Sequence, residues 1–190
     1  LTDTDYNESD AGWTPDGKFI TYLAKGQLWE MNPDGSNPRQ VTDIPDGING
    51  YVYAPDMSKI VYLKDVHLEP TVQDLYPDLP KAKARIVDDQ FYRHWNDWVD
   101  AYTHLFIADY VPAQPITTGK DIMEGERWES PVRPWGGVEQ LAWTKDGKKL
   151  IYTCRKKIGI DYAESTNTDL YAYNTENGEI VNLTEGMMGY

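Results

Sequence analysis

The residues best suited to chemistry are three carboxylates in one short segment, Glu124, Glu126 and Glu129, with Trp128 among them. Carboxylates gathered at the mouth of a pocket can hold the α-ammonium group of a peptide through charge-assisted hydrogen bonds. The same cluster also fits an ordinary solvated surface, where acidic side chains are common. Both interpretations stay open, and we take Glu126, Trp128 and Glu129 as candidate substrate-binding residues.

A second candidate group is His94 and Trp95, in a stretch from residue 88 to 99 where charged and aromatic residues alternate. This pattern predicts a short helix or a packed loop. In the functional interpretation, His94 and the tryptophans shape a contact with a substrate or another domain. In the structural interpretation, Trp95 and Trp98 cover the edge of a sheet while an arginine pairs with a neighbouring aspartate.

Other kinds of reactive site are missing from the sequence. There is no G-x-S-x-G nucleophile elbow, and the serines lie in predicted turns or loops without a neighbouring histidine. The histidines and the cysteine lack zinc-site spacing. Residues 3–14 begin like a calcium loop, but Glu8 stands where glycine is needed and Thr14 where a bidentate glutamate is needed. We therefore predict no catalytic residue, metal or cofactor within this chain.

A repeated pattern of ten residues predicts the strands between which the candidate residues lie. It reads WTPDGKFITY at 13–22, YAPDMSKIVY at 53–62 and WTKDGKKLIY at 143–152. An aromatic residue, a Pro-Asp-Gly type of turn and a run ending in tyrosine predict a β-hairpin in each copy. The first two copies start 40 residues apart and the last two 90 apart. A unit of about 40 residues with long inserts has the period of a β-propeller blade.

Two further strands follow each hairpin. The third strand carries leucine and then an aromatic residue, and the fourth ends in an apolar residue and threonine, at Val41-Thr42, Ile116-Thr117 and Leu183-Thr184. Four antiparallel strands in sequence order make one propeller blade. We therefore predict an all-β fold in one domain, 1–190: a partial β-propeller of three four-stranded blades. The blades span about 3–43, 47–118 with an insert at 65–102, and 136–185.

The order of strands in a blade also sorts the loops. Turns after strands one and three lie on one rim, and turns after strands two and four on the other. The second rim receives all the long segments, roughly 65–102, 119–137 and 155–167. Long loops concentrated on one face of a repeat array usually mark the binding face, so we expect function there.

The ends of the sequence predict a piece of a longer propeller. Leu1-Thr2 matches the end of a fourth strand, and the chain stops where another blade should begin. Three blades cannot close a ring, since propellers carry 4 to 8. We expect an open arc whose exposed end faces promote self-association.

Composition excludes several classes of protein. The formal charge of −13 and the pI near 4.5 argue against nucleic-acid binding, which needs clustered cations. No apolar run reaches the roughly 18 residues of a membrane span, and no signal segment opens the chain. The single cysteine, Cys154, is either a small buried apolar residue or a reactive thiol.

The WTPDGK repeat resembles the propeller repeat shared by Tol-system proteins and the prolyl oligopeptidase superfamily. Two segments of the insert favour one branch of the second group. DLYPDLPKA at 74–82 and RHWNDW at 93–98 resemble segments of the bacterial branch that contains dipeptidyl peptidase five and the acylaminoacyl peptidases. The segment NTDLY at 167–171 also looks like that branch. The resemblance covers essentially the whole chain.

This resemblance implies that the intact protein is a serine exopeptidase with a C-terminal α/β-hydrolase domain that holds the catalytic triad. The propeller would exclude folded proteins and position the N-terminus of a short peptide. Related dipeptidyl peptidases hold the amine with adjacent glutamates, which this loop lacks. The family also implies a periplasmic or extracytoplasmic location. Two alternatives remain: a non-enzymatic Tol-like propeller that binds a protein partner, and a structural module without a pocket.

Overall fold

The structure of the protein, a computed structural model, describes residues 2–87, 93–94 and 96–187. Three antiparallel sheets of four strands each account for most of its regular structure. We call them the first, second and third blade in chain order.

The first blade has its strands in sequence order. They are β1 (Glu8–Trp13), β2 (Ile20–Ala24), β3 (Gln27–Met31) and β4 (Arg39–Gln40).

The second blade contains the long insert between its middle strands. Its elements are β5 (Gly50–Tyr53), β6 (Lys59–Val66), α1 (Val72–Leu75), β7 (Arg93–His94), β8 (Asp97–Trp98), β9 (Tyr102–Asp109) and β10 (Lys120–Asp121). The sheet order is β5-β6-β9-β10, while β7 and β8 pair with each other. The described part of the alternating stretch from 88 to 99 therefore contains a small strand pair and not a helix, while residues 88–92 and 95 lie outside the described residues.

The third blade also has its strands in sequence order. Its elements are a short 3-10 turn (Val138–Gln140), β11 (Leu141–Trp143), β12 (Lys149–Cys154), α2 (Gly159–Glu164), β13 (Asp169–Asn174) and β14 (Ile180–Asn182).

The hairpin turns form for the local reasons that the repeat predicts. Thr14 Oγ1 donates to Asp16 Oδ1 at 2.7 Å, and the same carboxylate oxygen accepts from the Lys18 amide at 3.2 Å. Gly17 has φ of +71°, the left-handed region in which glycine has no steric penalty. The turn within residues 143–152 repeats these bonds. Two of the three blades thus begin with the same hydrogen-bonded corner.

One predicted strand end was wrong. Ile116 and Thr117 match the apolar-threonine pattern, but the fourth strand of the second blade is β10, which lies beyond them. The Ile122 amide bonds to the Leu105 carbonyl, as the Val41 amide bonds to Leu28 in the first blade. Ile116 instead exchanges backbone bonds with the chain around Val41 and lies between blades. A two-residue pattern cannot distinguish these two kinds of pairing.

The hydrophobic core lies between the blades, because successive side chains of a strand point to opposite faces. In β6, Ile60 and Tyr62 pack in the cluster shared with the first blade. Val61 and Leu63 pack in the cluster shared with the third blade. Each blade therefore depends on its neighbour to bury its faces, as expected for stacked repeats.

Candidate functional site

The three long loops meet around one cavity of about 620 Å³, which we call the rim cavity. One wall comes from the insert between β6 and β9, and the others from the segments between β10 and β11 and between β12 and β13. All three segments follow a second or a fourth strand. The prediction that one rim gathers the long loops therefore agrees with the lining of this cavity.

Glu129 is the buried acid of the rim cavity. Its side chain is 7% exposed, and its Oε1 accepts a hydrogen bond of 3.1 Å from the Tyr162 hydroxyl. Its Oε2 lies 3.0 Å from Arg133 Nε. The backbone is fixed as well: the Glu129 carbonyl accepts from Cys154 Sγ at 3.4 Å, and the next amide bonds to Thr103 of β9. The loop thus holds one carboxylate in place between the second and third blades.

Two opposing influences act on the charge of this carboxylate. Burial raises the pKa of Glu129, because the low-dielectric surroundings disfavour the ionised form. Arg133 opposes this rise by its positive charge and the Tyr162 hydrogen bond opposes it as well, but burial is the larger influence and the pKa is raised overall. Burial and the neighbouring Glu129 carboxylate raise the pKa of the Tyr162 hydroxyl, so tyrosine is a neutral donor. An ionised glutamate here carries its charge in a largely dry site.

Aromatic rings form the wall beside Glu129. The Lys156 ammonium lies 5.6 Å from the centre of the Trp128 ring and 4.2 Å from that of Tyr171. The Arg155 guanidinium lies 4.1 Å from the Tyr162 ring. Such cation–π contacts favour fixed ring positions. Trp128 and Tyr162 therefore offer an ordered apolar surface next to the carboxylate.

The insert forms the opposite wall and is tied to the rest of the rim by ion pairs. Arg127 Nε lies 2.9 Å from Glu69 Oε1, which joins the insert to the segment that carries Glu129. Within the insert, Arg85 Nη2 lies 2.8 Å from Asp100 Oδ2, and its guanidinium stacks 4.5 Å from the Trp98 ring. These pairs neutralise the acids of this wall.

The structure places the candidate residues predicted from sequence in different surroundings. Glu129 and Trp128 line the rim cavity, whereas Glu126 does not. Glu126 is half-buried, and its backbone carbonyl lies 3.0 Å from His104 Nε2. His94 lies in β7 with only its backbone described, and Trp95 lies outside the described residues. Glu126 and Glu129 therefore do not line the same cavity.

The sequence did not indicate Tyr162 or Arg133, which contact the Glu129 carboxylate in the described part of the chain. Arg133 follows Glu129 by four residues in an irregular segment, so no helical periodicity relates them. Tyr162 comes from a different blade. A buried glutamate needs a cation and a donor, but nothing in the spacing says which ones.

A second cavity of about 810 Å³ lies along the innermost strands, and we call it the inner cavity. Its lining includes Gly12 and Trp13 of β1, Tyr51 of β5, and Thr103 and Arg133. Arg133 therefore stands between the two cavities, with Glu129 on its other side. In the part of the chain that the structure describes, no group of three or more His, Cys, Asp or Glu could hold a metal ion. Over the same residues, none of the helices is long and apolar enough to cross a membrane.

Known proteins that are similar to this chain indicate its relatives and its fold. No protein-family model matches the chain. The chain is 44% identical to dipeptidyl-peptidase 5 of Porphyromonas endodontalis and 45% identical to that of Porphyromonas gingivalis, over 194 residues in each case. Both alignments cover 100% of this chain and 28% of the relative. The chain thus spans little more than a quarter of the length of these curated relatives.

Solved structures agree on the fold. Pyrococcus horikoshii acylaminoacyl peptidase matches with a TM-score of 0.54 at 14% identity, covering 93% of this chain and 24% of that protein. TolB of Agrobacterium tumefaciens matches with a TM-score of 0.53 at 15% identity, covering 96% of this chain and 48% of that protein. The predicted class, a partial all-β propeller of three four-stranded blades, is therefore confirmed.

The sequence relatives give the narrower assignment. Over its whole length the chain is a propeller segment that is similar in sequence to one part of dipeptidyl-peptidase 5.

Proposed function

We propose that this chain is the substrate-gating and positioning propeller of a serine exopeptidase of the prolyl oligopeptidase type, which cleaves short peptides. The catalytic triad would lie in an α/β-hydrolase domain C-terminal to the chain, which is its partner within the same polypeptide. The observation that carries this proposal is the 44–45% identity to dipeptidyl-peptidase 5 over the entire chain. The TolB likeness concerns the fold alone and favours no binding partner.

Within this function, Glu129 is the residue we propose to hold the substrate amine. A dipeptidyl peptidase must recognise a free N-terminus, and a buried carboxylate in a cavity suits an ammonium group. Glu129 has this environment. Glu126 lacks it, so we assign the amine site to Glu129 alone. Trp128 would form an apolar wall of the same site, and a role for His94 and Trp95 stays a prediction.

The rate advantage of such a site comes from orientation. Holding the peptide by its amine fixes how far the chain reaches toward the catalytic residues, so that one bond is presented for attack. A propeller narrows the approach at the same time, which excludes folded proteins. The propeller thus contributes selection and alignment, and the other domain contributes the chemistry.

The proposal is tested by comparing the full-length protein with the 190-residue chain on a dipeptidyl coumarin amide that has a free amine. We expect turnover by the full-length protein and none by the chain alone. Turnover by the purified chain would contradict the division of labour. Absence of cleavage by the full-length protein across a dipeptidyl panel would overturn the peptidase assignment and favour a binding propeller of the Tol kind.

A further inference from the structure

Arg133 makes polar contacts on both sides of its guanidinium group. On one side its Nε lies 3.0 Å from Glu129 Oε2. On the other side its Nη2 donates to Thr103 Oγ1 at 3.4 Å and lies 3.6 Å from Asp65 Oδ1. Thr103 itself donates to Asp65 at 2.7 Å. The arginine is therefore held from the second blade while it contacts the acid of the rim cavity.

We propose that Arg133 is a positioning residue for substrate binding: it keeps Glu129 ionised and aimed at the rim cavity, and so sets the pH range over which the site accepts a peptide ammonium group. This inference rests on the proposed function of Glu129. Arg133 would act through Glu129 and need not touch the substrate.

The charge balance around Glu129 supports this role. The titratable and charged groups that face it are Arg133 on its own loop, Tyr162 on α2, Asp65 on β6 and Cys154 on β12. Among the described residues, Arg133 is the cation that contacts Glu129 directly, and Arg155 lies further away, on the Tyr162 ring. Asp65 and burial both raise the pKa of Glu129. Without Arg133 the carboxylate would take up a proton at higher pH. A neutral acid cannot hold an ammonium group by charge.

The geometry also requires an arginine. One nitrogen faces Glu129 while another faces Thr103 and Asp65, so two anchor points fix the planar group. A lysine has a single ammonium and can satisfy one side at a time. We therefore expect Arg133→Lys to retain part of the effect and Arg133→Met to lose it.

A matched pair elsewhere in the chain serves as the control. Arg39 contacts the buried Glu30 at the junction of the first and second blades, with Nε at 2.9 Å from Oε2. Neither residue lines the rim cavity. Arg39→Met therefore breaks a similar buried pair and carries the same risk to stability, but it leaves Glu129 untouched.

The experiment measures kcat and KM of the full-length protein as a function of pH, with a free-amine dipeptidyl coumarin amide. The N-acetylated form of the same compound is measured as a competitive inhibitor. For Arg133→Met we expect KM for the free-amine substrate to rise roughly tenfold with little change in kcat. The acid limb of kcat/KM should move to higher pH by about one unit or more. Arg133→Lys should give intermediate values, and inhibition by the acetylated compound should not change.

Tyr162→Phe keeps the ring and removes only the hydroxyl donor, so it should move the acid limb in the same direction by less. Arg133→Lys decides the question if Arg133→Met does not fold, because it changes the arginine and keeps a long side chain. The inference is wrong if Glu129→Gln raises KM for the free-amine substrate while a folded Arg133→Met leaves the limb where it is. It is also wrong if Arg39→Met moves the limb equally. If Glu129→Gln itself leaves KM unchanged, the proposed amine site fails, and Arg133 loses its role with it.

Discussion

The Tyr53 hydroxyl donates a hydrogen bond of 2.6 Å to Glu30 Oε1, and this bond crosses from the second blade to the first. Tyr110 donates to the same oxygen at 2.9 Å, and Arg39 binds the other oxygen. The Glu30 side chain is fully buried. Burial raises the pKa of Tyr110 to about 12, and it raises that of Tyr53 as well, so both are neutral donors. The Glu30 carboxylate thus accepts hydrogen bonds from polar side chains of both blades.

We predict that Glu30→Ala lowers the free energy of unfolding of the chain by about 3 kcal/mol. Removing one member of a buried pair typically costs roughly 3–5 kcal/mol, and Arg39 can turn toward solvent, which places the effect at the lower end. The control is Lys148→Ala, which breaks the exposed pair with Glu176 and should cost about 0–1 kcal/mol. Urea unfolding measures both. Equal losses in the two variants would show that Glu30 does not tie the blades together.

The three turn aspartates predict a loss of stability in acid. The Lys18 hydrogen bond and the Thr14 hydroxyl lower the pKa of Asp16 to about 2. The Ser58 amide lowers the pKa of Asp56, and the Thr144 hydroxyl lowers that of Asp146. Because these folded-state pKa values lie below the unfolded ones, the stabilisation is complete above about pH 4 and disappears as pH falls toward 2.

Thermal unfolding between pH 5 and pH 2.5 measures this effect. We expect the triple variant Asp16→Asn, Asp56→Asn, Asp146→Asn to lose less melting temperature over this range than the unchanged chain. An identical decrease in both proteins would place the acid sensitivity elsewhere.

The cysteine is predicted to be inert in the folded chain. Cys154 is fully buried, and burial raises the pKa of its thiol to about 12, so very little thiolate exists near neutral pH. A thiol reagent at pH 8 should label the chain only after unfolding in guanidinium. Labelling of the native chain at the rate of a free thiol would favour the reactive interpretation instead.

The sequence predicts most of the fold because local rules determine the turns and strand faces. The Pro-Asp-Gly corner and the alternation of Ile60, Val61 and Tyr62 encode hairpins and two buried faces without reference to distant residues. The fourth strand of the second blade was predicted wrongly, because Ile116 satisfies the same short pattern while it pairs with another blade. Whether a segment pairs within its blade or with the next blade depends on tertiary contacts, which a pattern of two residues does not encode.

The site was predictable only in part, for a related reason. The sequence indicates an acidic loop on the long-loop rim, which contains both Glu126 and Glu129. It cannot indicate which carboxylate is buried, because that depends on contacts with Arg133 and with Tyr162, 33 residues further along the chain. Packing between the second and third blades buries Glu129. The residue pattern within one loop contains no information about that packing.

Comparing Glu129→Gln with Glu126→Gln in the full-length protein tests most directly whether Glu129 binds the substrate amine. The two residues share a loop, but only Glu129 lines the rim cavity. Losing a charge-assisted bond of roughly 1.5–3 kcal/mol should raise KM for a free-amine dipeptidyl substrate at least about tenfold in Glu129→Gln. Glu126→Gln should match the unchanged protein, and inhibition by the N-acetylated compound should be the same in all three. Equal KM values in the two variants, or an equal effect on the acetylated compound, would contradict the assignment of Glu129 as the amine site.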